Sequence, residues 1–101
     1  MVYFCAMLSI VIPTFNEAEN LVVLLPYLFK NSGGRAIEVI VSDGGSTDNT
    51  AEIAFNLGAK VIICPKKCRA HQMNSGAEEA IFPHLYFLHA DVLPPENFIA
   101  E

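Results

Sequence analysis

One stretch in the middle of the chain most constrains its fold: Glu38-Val-Ile-Val-Ser-Asp-Gly-Gly-Ser-Thr-Asp-Asn-Thr50. The β-branched run from Ile37 to Val41 is too short for a helix, which predicts a buried strand. The strand ends at Asp43, and a helix is predicted from Ser46, a good N-cap residue. Parallel sheets bind ligands beyond the C-terminal ends of their strands, so Asp43 is a candidate ligand contact. The alternative is a tight turn that Asp43 merely caps.

The rest of the chain alternates strands and helices in the same way. We predict parallel strands near 8–12, 37–42, 60–64 and 85–89. Asn16 is predicted to cap the first helix, in which Pro26 should cause a kink or a break. This pattern predicts an α/β fold, a Rossmann-like parallel sheet with helices on both faces. Further helices are expected from Arg69 to Phe82 and after Pro95, with core candidates Ile53, Phe55, Leu57, Met73, Ala77, Ala80 and Ile81.

Length and charge exclude several classes of protein. A chain of 101 residues with a net charge of −5 fits one small domain and argues against nucleic-acid binding. The odd cysteine count, Cys5, Cys64 and Cys68, lacks zinc-ligand spacing and favours a reduced, cytoplasmic protein over a disulfide scaffold. Pro13 ends the apolar opening run well short of a membrane span.

Polar residues follow three of the predicted strands, and parallel strands bring their C-terminal ends to one edge. There, His89 and Asp91 point the same way across Ala90, which suits a divalent cation shared with phosphate and water. The alternatives are a histidine bonded to a backbone carbonyl and an aspartate capping the next helix. Arg69 is suited to clamping a diphosphate, or is an ordinary solvated arginine.

Four motifs in order resemble the family 2 glycosyltransferases with the GT-A fold. They are Ile12-Pro-Thr-Phe-Asn-Glu17, Val41-Ser-Asp-Gly-Gly-Ser-Thr-Asp-Asn-Thr50, Arg69-Ala-His-Gln-Met-Asn-Ser-Gly76 and Phe87-Leu-His-Ala-Asp91. The resemblance implies a UDP-sugar or GDP-sugar donor with Mg²⁺ or Mn²⁺. It implies substrate-binding roles for Pro13, Thr14, Phe15, Glu17, Asp43, Gly44, Arg69 and Ala90, and metal-binding roles for Asp91 and His89. His89 stands where the metal motif usually begins with aspartate, and Gly44 where many relatives carry a second acid.

The family also sets an expectation for domain organisation. Residues 1–101 should form the N-terminal, nucleotide-sugar-binding half of a GT-A domain, truncated before the acceptor site and the catalytic base. The competing hypothesis is a non-catalytic nucleotide-binding or oligomerising module. A receiver domain lacks its acidic pair here, and a dehydrogenase lacks its G-x-G-x-x-G turn. We also predict a homo-oligomer, located in the cytoplasm or at the membrane periphery beside its acceptor.

Overall fold

Four parallel strands carry the fold. The computed structural model describes residues 7–32, 36–65 and 67–94. Its elements, in chain order, are β1 Leu8–Thr14, α1 Ala18–Lys30, β2 Ile37–Asp43, α2 Thr50–Asn56, β3 Lys60–Ile63, α3 Arg69–Glu79 and β4 His84–Phe87. The strands pair in the order β3-β2-β1-β4. The predicted fold class is confirmed, whereas Cys5 and the helix predicted after Pro95 lie outside the described residues.

The two faces of the sheet are covered by different helices. Ile10, Ile12, Val39 and Val41 alternate along β1 and β2 and pack against the apolar side of α1, whose buried leucines are Leu21, Leu24, Leu25 and Leu28. Each of these leucines is completely buried, which is worth roughly 1.5–3 kcal/mol per side chain. On the other face α3 crosses β1 at Gly76, where an added Cβ would lie 2.4 Å from Val11 Cγ1. Glycine therefore sets the close approach of α3 to the sheet.

α1 is not broken at Pro26: it continues to Lys30, because Pro26 and Val22 are both exposed and the missing hydrogen bond falls on the solvent side. The kink stays a prediction. Two other expectations about the helices are wrong in detail. Phe55 is 72% exposed, since the buried side of the short α2 passes through Ile53 and Leu57, four residues apart. α3 ends at Glu79, so Ile81 lies beyond the helix and is exposed.

A polar cluster ties the N-terminal edge of the sheet together. Glu38 Oε1 accepts hydrogen bonds from Ser9 Oγ at 2.7 Å and from the Ile81 backbone N–H at 3.1 Å. Lys60 Nζ lies 3.3 Å from Glu38 Oε2. Burial alone would raise the pKa of Glu38, but these hydrogen bonds and the lysine charge outweigh it and hold that pKa below its ordinary value.

The longest of the described helices, α1, has 13 residues, whereas a membrane span needs about 20. None of the helices within the described ranges could cross a bilayer.

Candidate functional site

The order of the strands predicts where a ligand should bind. The chain passes from β1 outward to β2 and β3 and then crosses back to β4 on the other side of β1. The strand order reverses direction at β1, and a crevice is expected at its C-terminal end. The register places Thr14, the last residue of β1, beside Asp43, the last residue of β2. His89 and Asp91 follow β4 at the same edge. The predicted convergence of polar strand ends is therefore present.

Asp43 is buried behind this edge, with its carboxylate fully engaged. Thr14 Oγ1 and Ser46 Oγ donate to its Oδ1 at 2.8 and 2.5 Å. The backbone N–H groups of Gly45 and Ser46 donate to its Oδ2 at 3.1 and 2.8 Å. The side chain is only 2% exposed. This geometry favours the alternative in which Asp43 caps the turn. Direct contact of Asp43 with a ligand stays a prediction.

Asn16 and Ser46 have roles that differ from those predicted. Asn16 does not cap α1: its Oδ1 accepts the backbone N–H of Thr47 at 2.9 Å, and its own N–H donates to Ser46 Oγ at 2.8 Å. It adopts a positive φ of 55° in doing so, a conformation that asparagine tolerates. Residues 46–49 are thereby held as a loop, and α2 begins at Thr50 instead of Ser46.

Thr50 joins this loop to the turn after β1. Asp48 Oδ1 accepts a hydrogen bond from the Thr50 backbone N–H at 3.0 Å and another from the Thr50 hydroxyl. These bonds hold the pKa of Asp48 below its ordinary value. Thr50 Oγ1 in turn accepts the backbone N–H of Glu17 at 3.0 Å. The two loops at the C-terminal edge therefore brace each other.

Gln72 joins three elements at the site and was not predicted. Its Nε2 donates to the backbone carbonyls of Thr14 at 2.9 Å and Ser42 at 2.8 Å, at the ends of β1 and β2. Its Oε1 accepts the backbone N–H of Cys68 at 3.0 Å, immediately before α3. The side chain is 3% exposed. A sequence signal existed: Gln72 lies one helical turn before Gly76, on the side of α3 that faces the sheet.

A cleft of about 400 Å³ opens at the end of β1. It is lined by Pro13, Thr14, Phe15, Glu17, Lys67, Arg69 and Gln72. Five of the predicted substrate-binding residues are thus brought together: Pro13, Thr14, Phe15, Glu17 and Arg69. The predicted Asp43, Gly44 and Ala90 are not among its lining residues, whereas Lys67 and Gln72 are additions that the structure reveals.

The cleft offers an aromatic surface beside an excess of positive charge. Lys67 Nζ lies 4.6 Å from the centroid of the Phe15 ring, within cation–π distance. Glu17, the acidic residue of the lining, accepts a hydrogen bond from Asn20 Nδ2 at 2.7 Å. Within the described ranges, neither Lys67 nor Arg69 forms an ion pair. Such a cleft suits a planar ring joined to an anion.

His89 and Asp91 occupy a turn after β4, and both side chains are exposed. The backbone N–H of Val92 donates to the carbonyl of His89 at 3.2 Å, and Ala90 between them is buried. Farther along, the Tyr27 hydroxyl donates to the carbonyl of Pro94 and anchors this segment to α1. In the part of the chain that the structure describes, no third acidic, histidine or cysteine side chain completes a metal cluster. The exposed side chains of His89 and Asp91 could supply two ligands to a cation whose remaining ligands are phosphate and water.

Comparison with known sequences gives a consistent result. The model of glycosyl transferase family 2 matches residues 9–101. The chain is 38% identical over 91 residues to a PGL/p-HBAD biosynthesis glycosyltransferase of Mycobacterium tuberculosis, covering 84% of this chain and 35% of that protein. It is 32% identical over 83 residues to glycosyltransferase AglJ of Haloferax volcanii, covering 81% and 26%. The chain thus spans about a third of the length of these relatives.

Solved structures agree on the fold. The mannosyltransferase PcManGT of Pyrobaculum calidifontis, solved with GDP-Man and Mn²⁺, superposes with a TM-score of 0.80 at 24% identity, over 89% of this chain and 29% of its own. The glucosyl-3-phosphoglycerate synthase of Mycobacterium tuberculosis was solved with Mn²⁺, UDP and glucosyl-3-phosphoglycerate. It superposes with a TM-score of 0.71 at 26% identity, over 93% of this chain and 37% of its own.

Proposed function

Because the chain belongs to glycosyl transferase family 2, we propose that its cleft binds the nucleoside diphosphate of an activated sugar, in an enzyme that transfers this sugar to an acceptor. The observation that carries the proposal is the cleft itself. It lies at the end of β1, where the strand order predicts a crevice, and combines Phe15 with two basic side chains. The similarity to a synthase solved with UDP supports the same class of ligand.

The lining residues divide into two groups. Pro13 and Thr14 end β1, and Phe15 and Glu17 lie in the turn that follows. These four residues would receive the base and ribose, with the Phe15 ring as a stacking surface. Arg69 opens α3, where its guanidinium is suited to bidentate contact with the diphosphate. Asp43 acts from behind the cleft: it holds Thr14 and the following loop in place.

Asp91 and His89 are the residues that would hold Mg²⁺ or Mn²⁺. The synthase similar to this chain was solved with Mn²⁺. Imidazole and carboxylate together suit Mn²⁺ well, since this ion accepts both nitrogen and oxygen ligands. A bound cation would offset the negative charge that develops on the departing nucleoside diphosphate. Ala90, buried between the two donors, would keep both of them at the surface of the turn.

Calorimetric titration with UDP and GDP, with and without Mn²⁺, tests the proposal. We expect weak nucleotide binding that strengthens with Mn²⁺, and the metal should gain affinity from the nucleotide by the same factor. Asp91→Ala should remove this coupling while leaving metal-free nucleotide binding nearly unchanged. Glu52→Ala on α2 is the control, because Glu52 is an exposed acid distant in sequence from both donors. Absence of heat at millimolar nucleotide would contradict the proposed function, and coupling that survives Asp91→Ala would contradict the assigned metal ligand.

A further inference from the structure

We propose that Lys67 is a second cationic contact for the donor diphosphate, beside Arg69, and that Gly44 and Gln72 place it there. This inference rests on the proposed function and deepens it. Lys67 lines the cleft together with Phe15 and Arg69. Its ammonium is exposed, and in the residues that the structure describes it has no carboxylate partner. It is therefore a charge at the cleft that nothing described neutralises.

The backbone conformation at Cys68 sets Lys67 and Arg69 side by side. Cys68 is extended, with φ −153° and ψ 109°, immediately before α3 begins. In an extended segment the side chains of residues i and i+2 lie on the same side. Lys67 and Arg69 therefore project together, which agrees with the presence of both in the cleft lining. Two adjacent cations match the two phosphate groups of a diphosphate better than a single one would.

Gly44 is what allows the Lys67 backbone to come this close to the sheet. A Cβ added at Gly44 would lie 3.0 Å from Lys67 Cα and 2.9 Å from Gln72 Oε1. Any other residue would push this segment away from the end of β2. Glycine is needed here for space, because the chain before α3 packs directly against the turn after Asp43.

Gln72 fixes the segment once it has approached. Its amide group donates to the backbone carbonyls of Thr14 in β1 and Ser42 in β2, and accepts the backbone N–H of Cys68. The residue after Lys67 is therefore tied to the strand that carries Thr14, and Phe15 follows Thr14 directly. Gln72 acts as a positioning residue: it lines the cleft, but its amide group is engaged in these three bonds, and it sets the separation between Lys67 and Phe15.

The present contact of Lys67 indicates how base and phosphate recognition are linked. The ammonium lies over the Phe15 ring, the surface on which a base would stack. A nucleoside alone would compete with Lys67 for this ring and offer the ammonium no anion in return. A nucleoside diphosphate would take the ring and supply phosphate oxygens for the displaced charge. Lys67 should therefore favour the diphosphate and disfavour the free nucleoside.

The test compares uridine and UDP binding by titration of the full chain without metal. Lys67→Met keeps a long apolar side chain but removes the charge, so UDP should bind about three- to tenfold more weakly. Uridine should bind equally well or more tightly. Lys67→Arg should restore UDP binding, and Lys30→Met, at an exposed lysine ending α1, should match the wild type. Gly44→Ala should reproduce the loss of UDP affinity with Lys67 intact.

Three results would overturn the inference. If the wild type binds UDP and Lys67→Met binds it equally well, Lys67 does not contact phosphate, although the proposed function stands. If Lys67→Met weakens uridine and UDP by the same factor, Lys67 supports the base or the fold. If the wild type binds no UDP at millimolar concentration, the inference and the proposed function fail together.

Discussion

At the scale of single residues, the site depends on buried polar groups that each satisfy several partners. Asp43 accepts from Thr14, Gly45 and Ser46, and Gln72 bonds the ends of two strands. In a buried position, removing one such group leaves several donors or acceptors unpaired, and this costs more than the bonds themselves contribute. These two residues are therefore expected to matter for stability before they matter for ligand binding.

Asp43→Ala should lower the free energy of unfolding by roughly 3 kcal/mol, because hydrogen bonds to a charged and buried group are lost together. Asp43→Asn should cost less, since one carbonyl oxygen remains to accept. Urea denaturation followed by circular dichroism measures both values. Glu52→Ala, at an exposed acid on α2, provides the control. If Asp43→Ala unfolds as the wild type does, the carboxylate does not hold the loop.

The sequence predicted the residues of the site that follow directly from a strand end. Pro13 and Thr14 at the end of β1 and Phe15 and Glu17 just after it belong to one recognisable motif, and all four line the cleft. Lys67 was missed because its position depends on a glycine more than twenty residues earlier, Gly44, that lets two segments touch. Gln72 was missed because a glutamine on a helix usually faces solvent, and only its packing against two strand ends shows otherwise.

At the scale of elements, the strands and the start of α3 at Arg69 were predictable, whereas the N-terminal caps of α1 and α2 were not. All four strands lie within two residues of their predicted bounds, because short apolar runs define them, β-branched in β1, β2 and β3 and partly aromatic in β4. The predicted N-caps were wrong because Asn16 and Ser46 form hydrogen bonds with each other's loops instead of with their own helices. Such contacts between segments distant in sequence cannot be deduced from local sequence. The same sharing of polar side chains between elements occurs at the other edge of the sheet, around Glu38.

Stability should depend on pH through Glu38, which links β1, β2, β3 and the segment after α3. Since folding lowers its pKa below 4.5, its stabilising contribution is present above that pH and is lost as the pH falls through the folded-state pKa. Glu38→Gln should therefore destabilise the protein at about pH 7 and change its stability little at about pH 3. Urea denaturation at both pH values tests this, with the exposed Glu52→Gln as control. An equal effect at both pH values would contradict an electrostatic role.

At the scale of the whole molecule, the edge strand β4 is apolar, whereas the cleft at the end of β1 is lined mainly by polar and charged residues. Leu85 and Phe87 lie on β4, on the same face of the sheet as α3, and their side chains are 43% and 41% exposed. An exposed apolar edge strand tends to pair with another chain, and a second copy of this chain is the partner expected from the sequence. The homo-oligomer stays a prediction. The cleft at the end of β1 is lined by neither Leu85 nor Phe87, so the proposed nucleotide site does not depend on this apolar surface.

We propose that the cleft at the end of β1 is a nucleoside diphosphate site. Titration of isotope-labelled protein with UDP, followed by amide chemical shifts, tests it most directly. We expect the largest shifts at Phe15, Glu17, Lys67 and Arg69, saturating together, with little change around Ser9, Glu38 and Lys60 at the opposite edge. Saturable shifts that fall instead at the opposite edge, or no shifts at millimolar UDP, would contradict the claim.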